Sequence, residues 1–525
     1  MKLRPSGPYA STIDLGEPPS PATSRRVAAL REALARSAPP EVRDVVAGFT
    51  SVLVEHRPSL PARRLRAWLH GAEVDASHPG PGRLRTVPVV YGADADVAEV
   101  ERGAGRPFSE VVRLHAGHEA TVAFLGFTPG FPYLLGLPSE LHLPRRARPR
   151  ARTPSGAIAI AEGLGGIYPA ASPGGWWVLG RTPVRLFDAS ADDPTWLAAG
   201  DRVRFEPIDG PLPGPPTDPA PPASASDVLE ILAAVPGSAS VQASPRYGVG
   251  HHGVAQAGTL DPVALEAGNL MLGNPSRAPA LETVGQPMTV RALREVVAAW
   301  TGGGMRVTLD GEEVAPWRAF PWPRGAVLEA TPDPRLAGRT GLLCVAGGVA
   351  GERWHGSYST DVRAAAGGSR RWLRAGDRLG TLQLPAGSPI AHPGRPRPPE
   401  RVLVRLHAGP QFDARAFASL TGRSFRIAAL DRTGVRLDGP AVRHPAPSIP
   451  SDGSPLGAVQ VPPDGRPIVL LADRGRTGGY AKPAVVDPRD VWRFAQARPG
   501  DEVAFVDARG AGERLGAPEP LDSWA

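Results

Sequence analysis

Apolar positions in the first 76 residues recur with two different periods. In SRRVAALREALAR (24–36), Val27, Leu30 and Leu34 fall on one face at helical spacing, and Pro39 and Pro40 end the run. GFTSVLVEH (48–56) is an apolar run of strand length, and PARRLRAWLHGAEV returns to the helical period. Together they predict a small α+β domain over 1–76. Beyond the turn-rich SHPGPG (77–82), TVPVVYG predicts a strand, and ADVAEVERG and SEVVRLH predict two short helices.

From Gly126 to Pro183 neither period holds. GFTPGFPYLLGLP, LPRRARPRARTPSGAIAIAEGLGGIYP and SPGGWWVLGRTP alternate glycine, proline and aromatic residues. Glycine supplies positive φ and proline fixes φ near −65°, so turns this dense predict short strands in loop-rich β structure. Phe127, Phe131, Tyr133, Tyr168, Trp176 and Trp177 among them suggest an aromatic-walled ligand pocket.

Two proline-rich stretches divide the rest: DGPLPGPPTDPAPPASAS (209–226) is a semi-rigid linker, and GSPIAHPGRPRPPE (387–400) is a weaker connector. The end of the chain, 509–525, reads as a loose tail. Three segments close on a similar phrase: AGDRVRF (199–205), AGDRLG (375–380) and PGDEVAF (499–505). GAIAI (156–160) followed by GGW (174–176) is echoed by GAVQV (457–461) followed by GGY (478–480). These echoes predict three related β modules, each closed by a strand after a Gly-Asp turn.

Composition narrows the class. With 525 residues and 42% hydrophobic content there is enough chain for three or four domains with their own cores. No apolar run approaches the ~18 residues of a membrane span, and MKLRPSGPYASTIDLGEPP lacks the apolar core of a secretory signal. A single cysteine, Cys344, allows no intrachain disulfide and suits a reducing cytoplasm. Of the 59 basic residues only Lys2 and Lys482 are lysine. The net charge of +7 is therefore carried by arginine and says little about partners, but Lys482 stands out as a compact ammonium where a planar fork is the rule. A leftover surface lysine is the plainer alternative. The run Arg145, Arg146, Arg148, Arg150, Arg152 is short and broken by proline, so it reads as a solvated loop or a funnel for a small anion, not as a nucleic-acid surface.

Familiar catalytic signatures are missing: the sequence has no P-loop, no G-x-S-x-G elbow, no H-E-x-x-H, no cysteine zinc pattern, no dinucleotide fingerprint and no biotin-attachment lysine. Adjacent His251 and His252 would point to opposite faces of a strand, so no metal is expected; an acid–base or anion-contacting role for His251 is. His115 ends a helix, where capping explains it equally well. Asp261 precedes Pro262 and an apolar helix with Gly273 beyond its end, so an N-cap explains it without catalysis. GSYSTD (356–361) and SPGGW (172–176) are tight turns whose N–H groups could form an anion nest, ordinary turns being the alternative.

At these residues the chain resembles known families. GFTPGFPYLLGLP, GIYPAASPGGWWVLGRTP and GDRVRFEPI are similar to the allophanate-hydrolase subunit 1 family, which includes the B-type subunit of 5-oxoprolinase and the Kip-type kinase inhibitor; the likeness covers about 1–208. GVAQAGTLDPVALEAGNLMLGNPSRAPALE, GSYSTDVRAAAGG, LDRTGVRLDGP, GAVQVPPDGRPIVLLAD and TGGYAKPAVV resemble the subunit 2 family, which includes the C-type subunit of 5-oxoprolinase, over about 235–507. The chain looks like a fusion of the two. The resemblance implies a mainly β protein with α+β parts: cyclophilin-like β-barrels over 77–208, 227–386 and 401–508, after the small N-terminal domain. It implies hydrolysis of 5-oxoproline to glutamate with ATP and magnesium, together with the A-type 5-oxoprolinase subunit on a separate chain. Alternatives are a Kip-like regulator of a histidine kinase, or the carboxyltransferase part of a biotin-dependent urea carboxylase whose biotin lies on another chain. The oligomeric state is left open.

A lactam resists water, and phosphorylating its oxygen gives a leaving group and an electrophilic carbon, so cations and N–H donors are needed around the phosphate. Catalytic candidates at motif positions are His115, His251 and Lys482. Arg145, Arg181, Arg246 and Arg432 are candidate cations, and Tyr133, Trp176 and Tyr480 candidate walls. Ser172, Ser359, Thr360, Asp361, Asp431, Gln460 and Thr477 complete the binding set. Departures accompany the likeness. VQASPRYGVGHHGV stands where the family pattern is close to VQDLGRPGYRHLGV: Arg246 and His251 remain, while Ala243 replaces an acid and Gly250 a basic residue. Tyr358 stands where arginine is usual, Leu430 begins LDRTG in place of serine, Leu164-Gly165 replace Gln-Thr, and Ala120 replaces a frequent tyrosine. They leave open an impaired copy, or one acting on another amide.

Overall fold

The computed structural model describes residues 1–510 except 59, 76–81, 213, 215–219, 221–225, 385–386 and 391–400. Most of the linker 209–226, of the connector 387–400 and of the tail 509–525 lies outside the described residues. Helix α1 (Pro21–Arg36) starts where Ser20 accepts a hydrogen bond from the Thr23 N–H (3.1 Å), with Pro21 in the first turn. Its apolar face, Val27, Leu30 and Leu34, is buried as the periodicity predicts. It covers a four-stranded sheet ordered Lys2–Pro5, Ala10–Asp14, Ser51–His56, Val42–Ala47. Only Ser51–His56 is legible as a strand from hydrophobicity, because its two faces are both covered. Val52 and Val54 enter the core under α1, while Leu53 touches Gly453 far along the chain.

Leu84–Tyr91, Arg202–Pro207, Glu119–Leu125, Pro132–Leu135, Leu164–Ile167, Ala157–Ala161 and Trp177–Arg181 form a closed seven-stranded barrel in that order. Near the C-terminus the same ring recurs: Val402–Ala408, Glu502–Asp507, Ser424–Leu430, Gly434–Asp438, Ile468–Leu470, Ala458–Val461 and Thr477–Val486, closing back on Val402–Ala408. In both, the first two strands are parallel. The sequence echoes occupy matching places: GAIAI and GAVQV form most of the sixth strands, while GGW leads into the seventh strand of the first barrel and GGY lies at the start of the seventh strand of the last. The Gly-Asp phrase is one local device used three times. Gly200, Gly376 and Gly500 all have φ near +90° (89°, 88°, 92°), and the following Asp accepts the N–H of Ala198, Arg374 or Arg498 at 2.8–3.0 Å.

Between the barrels the module is different. Six-stranded and five-stranded sheets face each other over one core that includes Leu229, Val290 and Leu328 from one and Trp300, Leu343 and Val345 from the other. The expected second barrel is here a pair of sheets, with no ladder joining them into a ring among the described residues. Its Gly-Asp turn leads to a strand, Arg378–Gly380, paired antiparallel, unlike the parallel pairing in the barrels. The helix Pro262–Met271 has Asp261 as its N-cap, accepting from the Ala264 N–H at 2.9 Å, as read from sequence. Among the described residues, no helix is long and apolar enough to cross a membrane. The protein is thus mainly β, with a few helices packed against its sheets.

Candidate functional site

Three glycine-rich segments from distant parts of the chain meet at one junction. The hairpin turn Gly126–Phe131 lies against the GHHG loop, with the Gly130 N–H donating to the His252 carbonyl at 2.8 Å. A Cβ on Gly126 would collide with Thr477 Oγ1, and one on Gly253 would lie 2.8 Å from the Thr128 carbonyl oxygen, so both positions need glycine for close approach. Thr477 opens the last strand of the C-terminal barrel. The expectation that the two halves adjoin is met here in atomic contact.

Beneath this junction lies a buried ionic cluster that sequence reasoning missed. Arg474 donates to Glu55 (3.0 Å) and Gln256 (2.8 Å), Gln256 donates to Glu55 (2.7 Å), and Arg476 pairs with Asp44 (3.1 Å) and Glu55. The N-terminal sheet, the middle module and the last barrel each contribute. Burial would raise the Glu55 carboxyl, but Arg476 and Arg474 outweigh it and hold it low. Burial wins at Asp44, which is raised despite Arg476. Asp44 and Glu55 sit in strands and the arginines in a loop, with Arg474 and Arg476 lying 419 and 421 positions beyond Glu55 along the chain, so no local pattern marks them.

Lys482 is fully buried, which removes the reading as a surface lysine. Its ammonium pairs with Asp452 and donates to the Tyr480 carbonyl (3.2 Å), while Gln411 bridges Asp452 (2.7 Å) and the Lys482 N–H (3.1 Å). Burial raises the Asp452 carboxyl, opposed by Lys482. Gln460 is buried on the neighbouring strand, its amide against Gly478, and Tyr480 is exposed. The Gly48–Ser51 turn reaches this ribbon, with the Phe49 N–H on the Ser451 carbonyl (2.9 Å). Phe49 in turn packs edge-on against Tyr133, with ring centroids 5.8 Å apart.

The aromatic residues do not wall an open pocket as expected. Phe131, Tyr168 and Trp176 are buried over Ala157, Ala159 and Ala161, with Tyr133 against them. The rings meet edge to face at 5.1–5.9 Å, a packed core on the outside of the barrel made possible by the small alanine face. Burial pushes the Tyr133 phenol up to about 12. The basic run is pinned nearby: Arg146 and Arg150 share Asp96, Arg145 pairs with Glu162 (2.8 Å), and Arg181 with Asp94 (3.2 Å). Ser172 lies in a strand, Ser172–Gly174, paired with Arg150–Thr153, and its Oγ is buried without a partner.

The remaining candidates form a separate group in the middle module. Arg246 is buried over Trp354, 5.2 Å from the ring centroid, donates to the Ser359 carbonyl, and leaves Nε and Nη1 without partners. Ser359 bridges the Ala243 N–H and the Ser244 carbonyl (2.9 Å each), and Thr360 donates to Val241 (2.9 Å). The N–H groups of Ser357, Ser359, Thr360 and Asp361 all have partners within the protein, so most of the donors expected to form an anion nest at GSYSTD are already engaged. Asp361 accepts from Ala255 (3.2 Å) and Ala364 (3.1 Å). Arg432, held by Asp473 of its own barrel (2.8 Å), joins the last barrel to the middle module through Glu282 and the Gly258 carbonyl (2.7 Å). Burial alone would lower it, but the two carboxylates hold it above its ordinary range. Asp431 closes its own turn onto Thr433 and Gly434 (2.7 and 3.0 Å).

The two histidines are placed apart. His251 lines a cavity of about 580 Å³ beneath α1. His115 is buried on the far helix, bonded to the Tyr91 hydroxyl (2.7 Å) and 4.3 Å from the Phe205 ring, and burial lowers it to about 3. No other candidate residue is a partner in those contacts, which are those of a packed core residue. Among the described residues no group of three or more His, Cys, Asp or Glu could hold a metal ion.

Comparison with known proteins places this architecture. The family described as carboxyltransferase domain, subdomain C and D, matches residues 1–197, and that described as subdomain A and B matches 252–507. The B subunit of 5-oxoprolinase from Escherichia coli O157:H7 is 39% identical over 208 residues, 38% of this chain and 93% of that protein. The C subunit of 5-oxoprolinase from Haemophilus influenzae is 32% identical over 297 residues, 53% of this chain and 90% of that protein. The crystal structure of TTHA0988 is 41% identical with a TM-score of 0.85, covering 95% of this chain and 99% of that one. The Kluyveromyces lactis urea carboxylase is 27% identical with a TM-score of 0.50, covering 57% of this chain and 28% of that one. The chain therefore belongs to the B-type and C-type 5-oxoprolinase subunit families of carboxyltransferase-domain proteins, both present in one polypeptide.

Proposed function

We propose that this chain is the fused B and C component of an ATP-dependent 5-oxoprolinase-type amidohydrolase, which opens 5-oxoproline to glutamate with an A-type subunit on a separate chain. The observation that carries the reading is the junction itself, where turns from both halves interlock over one buried ionic cluster, so that neither half presents this surface alone. Lys482 lies beside this junction, a fully buried ammonium held by Asp452. The residues present do not suit a nucleotide. Arg145, Arg181, Arg432 and Lys482 are each already paired with a carboxylate, and Arg246 is enclosed. We therefore put the ATP and magnesium on the partner and derive no phosphoryl step here.

Mixing the purified chain with a homologue of the A-type 5-oxoprolinase subunit, ATP and 5-oxoproline tests the reading. Glutamate formation requiring both chains and ATP supports it; no glutamate at any ratio of the two ends it. The second reading, carboxyl transfer, is favoured by the carboxyltransferase description of both matching families. It requires carboxylated product in the presence of a separate carboxybiotin carrier.

A further inference from the structure

The cavity beneath α1 owes none of its wall to Lys482 or to the aromatic cluster. Arg25, Arg31 and Glu32 of α1 form its roof, Ala47, Phe124 and Leu125 its apolar floor. The 193–201 loop and the histidine pair close its sides. Its charges balance, with Arg25, Arg31 and Arg83 facing Glu32, Asp193 and Asp201, but they are not all spent. Arg83 and Asp201 neutralise each other at 3.1 Å, whereas Arg31 has a buried Nε without a hydrogen-bond partner. Burial lowers Arg31 below its ordinary range, opposed only in part by the nearby carboxylates of Asp44 and Glu32. An unpaired N–H of that kind calls for an explanation, and a ligand oxygen supplies one.

The histidines add neutral polarity. Burial, with Arg31 beside them, brings His251 down to about 2 and His252 to about 4, so both are uncharged near neutrality. His252 Nδ1 is fixed by Thr195 Oγ1 at 2.7 Å. A wall without net charge gives no hold to a dianion, but a guanidinium with an unbonded Nε beside neutral donors and acceptors suits a single carboxylate next to an uncharged polar group.

We propose that this cavity binds a small organic monocarboxylate bearing an amide, with the carboxylate on Arg31, the amide against His251 and the Thr195–His252 pair, and the carbon frame over Phe124 and Ala47. The identity of that ligand as 5-oxoproline rests on the function proposed above; the site does not.

Titration calorimetry on the purified full chain, with neither ATP nor partner, tests both. The probes are 5-oxoproline, N-acetylglycine, 2-pyrrolidone (the lactam without its carboxylate) and inorganic phosphate. The two amide acids bind, and 2-pyrrolidone and phosphate bind at least about tenfold more weakly. Arg31→Gln weakens the amide acids by at least about tenfold with an unchanged or higher melting temperature, because the uncompensated guanidinium is gone. Ala29→Leu, which fills the cavity from α1, abolishes binding. N-acetylglycine binding without 5-oxoproline keeps the site and removes its assigned ligand. The site itself is overturned by no binding of either acid, by a preference for phosphate, or by Arg31→Gln binding as the parent does.

Discussion

The first and last barrels share one strand order, yet at matching positions they are built from opposite materials. Counting from the glycine pair, GGWWV places Val178 where GGYAK places Lys482; both side chains are fully buried. Counting along GAIAI and GAVQV, Ala159 matches Gln460. In the first barrel this region is alanine and packed rings; in the last it is an ammonium, a carboxylate and two amides. The ring therefore closes without a buried charge at that place. A buried ion pair is rarely better for stability than apolar residues of similar size, so Lys482 and Asp452 are retained at a cost the fold does not require. That asymmetry, more than the lysine's rarity, makes Lys482 and Asp452 the pair whose role in turnover is worth testing.

The largest expected effect breaks the pair. Lys482→Met leaves Asp452 buried and without its cation and costs about 3–5 kcal/mol, read from chemical denaturation. Adding Asp452→Leu recovers most of that loss, since an apolar pair reproduces the first barrel's solution. Turnover in the presence of the A-type partner is absent in both variants. A double variant that keeps full turnover removes Lys482 from the chemistry and reduces the asymmetry to chance. The next effect compares the aromatic partners. Trp176→Ala opens a hole in a packed core and costs about 3–5 kcal/mol. Tyr480→Ala, at the matching but exposed position, stays within about 1 kcal/mol. Equal destabilisation at the two sites means the last barrel packs as the first does, against the present comparison.

Much of this could be read from the chain because the signals are local. The Gly-Asp turn is legible three times over, since the glycine's positive φ and the carboxylate's bond three residues back are fixed within five residues. Asp261 as a cap and Val27, Leu30 and Leu34 as a helix face are legible for the same reason. What stayed hidden is what needs distance. Arg474 and Arg476 read as two more arginines in an arginine-rich chain until Glu55 and Asp44 arrive from the N-terminal sheet. The aromatic-rich segment reads as a pocket because composition cannot say whether rings face a ligand or each other; the alanines of GAIAI decide it, by leaving room on that face. Arg31 carries no signal in the sequence beyond standing in an amphipathic helix, and only the fold encloses it.

His115 sharpens the comparison by the smallest margin and from the other side. It stands two residues before Gly117, in the helix that leads into Glu119–Leu125; in the last barrel Leu420 stands two residues before Gly422, in the helix that leads into Ser424–Leu430. Both are buried. If His115 packs as Leu420 does, its titration is a liability of the first barrel alone. Burial, reinforced by nearby His118, lowers the folded-state value to about 3 against about 6.5 in the unfolded chain, so the folded protein binds fewer protons. Its contribution is complete above pH 6.5 and is lost as pH falls from there toward 3, reaching a loss of about 2 kcal/mol at pH 5. His115→Leu removes that slope: relative to the parent, the variant gains about 2 kcal/mol between pH 7.5 and pH 5, less whatever the lost Tyr91 hydrogen bond costs uniformly. Denaturation curves at the two pH values measure the difference directly. Parallel pH dependences for parent and variant mean that His115 is not held neutral by the fold, and loss of turnover at full stability returns it to the catalytic set.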